Sequence, residues 1–259
     1  MIDHLSPSSL DQYLRCGEAW RLDRIEKIKP AKAQPLIVGI AVHEVVEGIN
    51  RARKAGKAPI LAEAASRLAK DTVQGFFVES DIELSEGQMK DEALESCKQK
   101  AERLTALFYH DVLPRLGTPT LVEHEIKIEP LDSDLPPITC RIDWAEGDVV
   151  FDLKTSSKSW TTDQAAGDEQ MTLYYLALMT MGIKARAIKI VTLVDTKKPK
   201  AEIIETVRKD EDVFALLEKY RAAWRGIKAG VFMPASYRGW WCGKNCGYVA
   251  NCRYVNRSK

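Results

Sequence analysis

The stretch at 149–155 reads VVFDLKT, and few folds can hold it. Its β-branched and aromatic residues favour a strand. Side chains alternate across a strand, so Val149, Phe151 and Leu153 share one face, and Asp152 and Lys154 share the other with Val150. Just upstream, 138–145 alternates as well: Ile142 and Trp144 point one way, Arg141 and Asp143 the other. The turn Glu146-Gly147-Asp148 joins the two segments into a hairpin. Adjacent antiparallel strands would bring Asp143 close to Asp152. Two carboxylates that close repel unless a cation lies between them. Mg²⁺ binds through one or two carboxylates and keeps waters and phosphate oxygens as its other ligands. Lys154 would point into the same space, where it could orient a water or offset charge on a phosphate. An Asp-x-Lys by itself also suits a surface ion pair.

The surrounding pattern supplies the layers. Ser6 with Pro7 reads as a helix start, and that helix is expected to run to about Ile25 and to carry Cys16. Further helices are expected over about 36–54, 59–79, 88–112, 163–181 and 210–229. Strands are expected at 121–129, 138–145, 149–155, 187–194 and 201–207. In the first of these Glu123, Glu125, Lys127 and Glu129 share one face, and His124 falls on the apolar face as a buried structural histidine. This order predicts α/β with a mixed sheet. A single domain over 1–259 is expected, with a mainly helical part (1–115) holding Cys16 and His43. An α/β core (116–230) and a Cys-rich basic tail (231–259) follow.

Bulk charge is uninformative, because the 259 residues carry a net charge of only +1. Its distribution says more: from Arg221 to Lys259 there are eight Lys or Arg and no acid. That tail is a candidate phosphate-contacting surface, with Arg238, Lys244 and Arg253 as its contacts and Trp240, Trp241 and Tyr248 available for stacking. A solvated chain end reads equally well. No apolar run reaches the length of a membrane span and no signal peptide opens the chain, so a cytoplasmic protein is expected. Six cysteines in a reducing compartment then argue for metal binding or catalysis rather than disulfides.

Two helical patterns join the hairpin. Gly39, His43 and Glu47 recur every fourth residue on one helix face, where His43 could be a ligand or a satisfied core residue. Gln170 and Tyr174 recur likewise on the helix after the VVFDLKT strand. The ordered set G-x3-H-x3-E, Asp143, D-x-K and Q-x3-Y resembles the PD-(D/E)XK nuclease superfamily, and within it the RecB-type branch of CRISPR-associated, AddB-like and phage exonucleases. The resemblance covers nearly the whole chain. It implies a restriction-endonuclease-like fold, with a mixed central sheet flanked by helices and an N-terminal helical elaboration. It makes His43, Asp143 and Asp152 ligands of Mg²⁺ or Mn²⁺, with the Leu153 carbonyl as an extra ligand. It makes Lys154 the catalytic lysine, and places Gln170 and Tyr174 beside the site, touching nucleic acid. The sequence departs from the family pattern with Ile142 before Asp143 and with Asp152 in place of glutamate. The resemblance also gives Cys242, Cys246 and Cys252 a fourth partner, Cys16, around a 4Fe–4S cluster, with structural zinc as the alternative. Cys97 and Cys140 read as buried thiols.

The expected activity is metal-dependent hydrolysis of DNA phosphodiesters, chiefly by an exonuclease acting on single-stranded ends in repair, recombination or phage DNA metabolism. No G-x4-G-K-[ST] occurs, so any unwinding would need a separate helicase or recombination protein. The alternatives are a CRISPR adaptation nuclease that trims spacers and a non-catalytic DNA-binding subunit of a helicase–nuclease complex.

Overall fold

The computed structural model describes residues 2–130, 135–236, 242 and 246–255. They divide into two compact units. The first is made of Met1–Pro30, Ile126–Cys140 and Lys209–Lys259, and the second of Ala31–Glu125 and Arg141–Arg208.

In the first unit, helix α1 (Pro7–Arg15) starts as expected, with the Ser6 hydroxyl accepting from the Ser9 amide. The helix does not run on to Ile25. Cys16 is extended (φ −160°, ψ 100°), ends α1 and caps α2 (Gly17–Arg24), its sulfur accepting from the Ala19 amide. A small residue must follow. A Cβ on Gly17 would lie 2.9 Å from the Met233 backbone nitrogen, and neither backbone can give way. Trp20 stacks on Phe232 with ring centroids 5.9 Å apart, and its indole donates to Ser9 at 2.8 Å. The long helix α8 (Asp210–Lys228) belongs to the same unit.

The second unit opens with a two-residue strand β1 (Lys32–Ala33) and helix α3 (Gln34–Lys54). Helix α4 (Ala62–Glu79) follows, then a second short strand β2 (Ile82–Glu83), which pairs with β1, and helix α5 (Lys90–Leu107). A π-helical turn at Phe108–Val112 extends α5 to the expected end. The buried stripe of α3, including Ile37, Val38, Ala41, Val42 and Val45, packs with α4 and α5 into one apolar cluster that also takes in Phe151 and Leu153.

The central sheet has five strands in sequence order: β3 (Leu121–Ile128), β4 (Ile138–Glu146), β5 (Val149–Ser156), β6 (Ala187–Val194) and β7 (Lys200–Thr206). Strands β4 and β5 form the expected hairpin, turning at Gly147 with φ 62°. Strand β6 runs parallel to β5 and antiparallel to β7, so the sheet is mixed. Trp144 stacks on its cross-strand partner Phe151 at 5.0 Å, an arrangement that contributes roughly 0.5–1.5 kcal/mol beyond burial. The crossover from β5 to β6 is not one helix over 163–181. It is α6 (Thr162–Gly167) and α7 (Glu169–Thr180), broken at Asp168, whose carboxylate accepts from the Gln170 and Met171 amides. An Asp cap outcompetes continuous helix here because it satisfies two amides at once. In β3 the expected alternation holds at Val122, Ile126 and Ile128 but is interrupted at 123–124. Glu123 adopts φ 44°, and His124 is exposed rather than buried. A left-handed residue inside a strand shifts the facing of its neighbours, as a bulge does.

Replacing Gly17 by alanine should cost about 1–3 kcal/mol, the usual penalty for forcing atoms into a filled space. A thermal melt checks this; an unchanged melting temperature would refute the close approach to Met233.

Candidate active site

The hairpin register builds the site. Trp144 pairs with Phe151 and Ala145 with Val150, so the next residues along the two strands are Asp143 and Asp152. Asp152 is 1% exposed. Asp143 Oδ2 accepts from the Leu153 amide at 2.8 Å and lies 3.7 Å from His43 Nδ1. The Leu153 carbonyl also faces the His43 imidazole. His43 reaches this point because α3 buries its apolar stripe in the core, leaving Gly39, His43 and Glu47 on the opposite side. Gly39 lets α3 come close there: a Cβ would sit 3.1 Å from the Thr155 hydroxyl, which would have to give by a few tenths of an ångström.

Lys154 is held from two directions. Its Nζ lies 3.0 Å from Asp152 Oδ2 and donates to Gln170 Oε1 at 2.9 Å. The Gln170 amide donates to the Tyr174 hydroxyl at 2.6 Å, and that hydroxyl donates to Asp152 Oδ1 at 3.3 Å. A closed ring Lys154–Gln170–Tyr174–Asp152 results. It sets a limit on one expectation: Tyr174 is fully buried, so it holds Asp152 and does not face a nucleic acid.

The electrostatics follow from burial. Burial, and then the neighbouring Asp152 charge, push the Asp143 carboxyl well above the ordinary aspartate range; the Leu153 amide opposes this only in part. Burial raises Asp152 too, against the pull of Lys154. Burial alone would lower the Lys154 ammonium, but Asp152, Asp168 and Asp143 together outweigh it and the net shift is upward. Burial, then the Lys154 charge, lower His43 to about 4, so a neutral imidazole is presented.

Glu123 is the residue that sequence reasoning did not single out. Its carboxylate, His43 and Asp143 offer ligand atoms that all lie within 4.8 Å of one another. The alternation of β3 grouped it with Glu125 and Lys127, and the left-handed backbone that distinguishes it has no sequence signature. Burial raises its pKa as well. One imidazole and several carboxylates that are costly to ionise together suit a hard divalent cation, which the residues fit on that ground. The cavity they line, with Arg141 and Gln170, encloses about 700 Å³.

Arg208 was also missed. It is buried, and its guanidinium donates to the Ala165 and Asp168 carbonyls at 2.8 and 3.0 Å and to the Thr172 hydroxyl at 2.8 Å. These bonds fix the α6–α7 break that delivers Gln170.

The four cysteines 16, 242, 246 and 252 line one cavity of about 110 Å³ in the first unit. The Cys16 sulfur accepts from the Ala19 and Ala235 amides at 3.5 and 3.3 Å. Burial, with the other three thiols nearby, raises the Cys246 pKa. Glu18, buried beside them, is gripped by Arg21 at 2.9 Å and by Arg253 at 3.1 Å. Tyr248 is buried against Cys16 and Leu22, so it is a wall of this cavity and not a stacking platform. Arg238, Lys244, Trp240 and Trp241 lie outside the described residues. Cys97 and Cys140 are buried. Among the described residues no helix is long and apolar enough to cross a membrane.

Comparison with known proteins agrees with this geometry. The family model of the PD-(D/E)XK nuclease superfamily matches residues 4–253. The chain belongs to that superfamily, whose members are nucleases that use divalent metal ions. A solved structure described as "Putative exonuclease" from Eubacterium rectale is similar in fold, with a TM-score of 0.60 at 13% identity over 99% of this chain and 89% of that one. No curated protein matches the sequence at a significant level.

The raised carboxylates give a stability test in EDTA. A carboxyl whose folded pKa lies above its unfolded value favours the fold only while protonated, so the metal-free fold should weaken as pH rises through that interval. Asp152→Asn should therefore melt higher than the unmodified protein at pH 8, with the gap closing towards pH 4. Excess Mn²⁺, at about 100 times its Kd, should stabilise the unmodified protein by ~2.7 kcal/mol and the variant by much less. Equal Mn²⁺ shifts in both proteins would exclude Asp152 as a ligand.

Proposed function

We propose that this nuclease is a metal-dependent exonuclease acting on DNA. The observation that carries the reading is the convergence of His43, Asp143, Asp152 and Lys154 on one open cavity of a chain with the superfamily's pattern. His43, Asp143, Asp152 and the Leu153 carbonyl would hold Mg²⁺ or Mn²⁺, joined by Glu123. When bound, such an ion lowers the pKa of a water and offsets charge on a phosphate. Lys154 acts on the reacting phosphate itself. Its ammonium has three N–H donors; one faces Asp152 and one Gln170, which leaves a donor for a water or a non-bridging oxygen. Gln170 and Tyr174 hold that ammonium and Asp152 in register.

The cysteine site is read as a 4Fe–4S cluster. Support comes from the gathering of Cys16, Cys242, Cys246 and Cys252 on one cavity, the cysteine layout of the branch that the sequence resembles, with zinc as the alternative. The amides aimed at Cys16 would stabilise a thiolate ligand. The exonuclease role is favoured over a non-catalytic subunit because the complete set of reactive side chains is assembled.

The tests use 5′- and 3′-labelled single- and double-stranded DNA with Mg²⁺ or Mn²⁺. Lys154→Ala should lower kcat on the order of 10²-fold or more while leaving the Mn²⁺-dependent melting shift in place. Asp152→Ala should reduce hydrolysis to background at any metal concentration. A folded, fully active Asp152→Ala protein would end this assignment. Anaerobically purified protein should be brown, with about four irons per chain. Replacing Cys16 should lose that colour as completely as replacing Cys246; colourless protein with one zinc would replace the cluster by a zinc site.

A further inference from the structure

A second, smaller cavity of about 130 Å³ lies beside the catalytic one, and Pro35 and Thr155 line both. Its walls are apolar: Val38 of α3 and Cys97 and Leu104 of α5. Its polar lining comprises Gln34, Lys100, Ser156, Ser157 and Asp195, whose carboxylate is paired with Arg103. The strand that carries Asp152 and Lys154 into the first cavity carries Ser156 to the second. At about 3.3 Å per residue, Ser156 stands roughly 7 Å beyond Lys154. The wall between the cavities is the first turn of α3, whose amino end has no side-chain cap and carries partial positive charge.

We propose that this cavity receives the base of the nucleotide next to the scissile phosphate, with Lys100 at the rim facing the adjoining backbone phosphate. The inference rests on the nuclease reading of the neighbouring site and adds the part of the substrate it selects. Three features point to a base. The walls can sandwich a flat apolar ring, as pockets for unstacked bases do. The hydroxyls at the rim can meet the ring's polar edge. The position is two residues along the strand from the lysine that addresses the phosphate. Size narrows the choice: at about 130 Å³, slightly less than the ~150 Å³ cavity that binds benzene, it takes no more than a single six-membered ring. A pyrimidine fits it, whereas a purine leaves its second ring outside.

The decisive experiment measures binding of thymidine 5′-monophosphate and deoxyadenosine 5′-monophosphate to the whole protein by calorimetry in Mg²⁺. A monophosphate has no phosphodiester to cleave, so this readout is independent of turnover. Thymidine monophosphate should bind roughly tenfold tighter than deoxyadenosine monophosphate. Ser157→Trp, a change at an exposed rim position that plugs the mouth, should abolish the difference and weaken thymidine monophosphate at least tenfold. Lys100→Ala should leave both monophosphates unchanged and weaken thymidine 3′,5′-bisphosphate, which carries the adjoining phosphate. In parallel, kcat/KM is compared on oligonucleotides ending in thymidine, adenosine or an abasic residue, and should fall in that order at the preferred end. Equal binding of the two nucleotides, or no effect of Ser157→Trp, overturns the proposal. Absence of hydrolysis with all oligonucleotides overturns the nuclease reading instead, and leaves the calorimetry to decide what the cavity binds.

Discussion

Two carboxylates face each other across one hairpin, and the second unit is arranged around that cost. Strands β4 and β5 place Asp143 and Asp152 side by side, with Asp152 buried and Asp143 half-buried. Water would normally relieve such a pair, but Asp152 is almost fully enclosed. What remains is a short list of compensations: the Leu153 amide on Asp143, the Tyr174 hydroxyl on Asp152, and the Lys154 ammonium. These leave both acids harder to ionise than an exposed aspartate. A pocket of that kind is poorly stable empty and is well matched to a divalent cation. The strain is placed where the chemistry needs it.

Lys154 depends on a chain of residues that leads away from the reacting centre. Its position is set by Gln170, Gln170 by the first turn of α7, and that turn by the break at Asp168. Arg208 secures the break by binding the Ala165 carbonyl of α6, the Asp168 carbonyl at the break and the Thr172 hydroxyl of α7. A continuous helix through 163–181 would lack the Asp168 cap and so carry Gln170 on a different path. The interruption that looks like a defect in the crossover is what brings an amide to the lysine. An ammonium held by two acceptors loses less freedom on meeting a phosphate than one that swings freely.

The sequence was legible where periodicity and function coincide. Alternation on both sides of Gly147 defined the hairpin, and with it Asp143, Asp152 and Lys154. Spacing of four along α3 and α7 placed His43 and Gln170 on the right faces. The failures share one cause, since each depends on backbone departing from its element. Glu123 joins the site through a left-handed residue in β3, which alternation averages over. Cys16 interrupts what reads as one amphipathic helix. Tyr174 was legible as a neighbour of the site, but its depth was not, because that depends on what α7 packs against. Arg208 carried no signal at all, since a basic residue between a strand and a helix is ordinary until its carbonyl partners are known.

The cysteine site answers a different constraint. The first unit is assembled from three segments that lie far apart in the chain. Closing loops of that length is unfavourable, although the cost grows only slowly with length. Apolar packing such as Trp20 on Phe232 contributes, as does Glu18, which is buried between Arg21 and Arg253. Arg253 is held there by a carboxylate with almost no solvent contact, so its first task is to seat the C-terminal segment beside α2. Four sulfurs then meet around one cavity, drawn from α2's cap and from the chain's last stretch. A bound cluster would add its binding free energy to folding, because the unfolded chain cannot hold those four ligands together. The two units thus meet the same physical problem in opposite ways. In one, like charges gathered in a pocket would be relieved by a cation; in the other, soft ligands brought from distant segments would be secured by the proposed cluster.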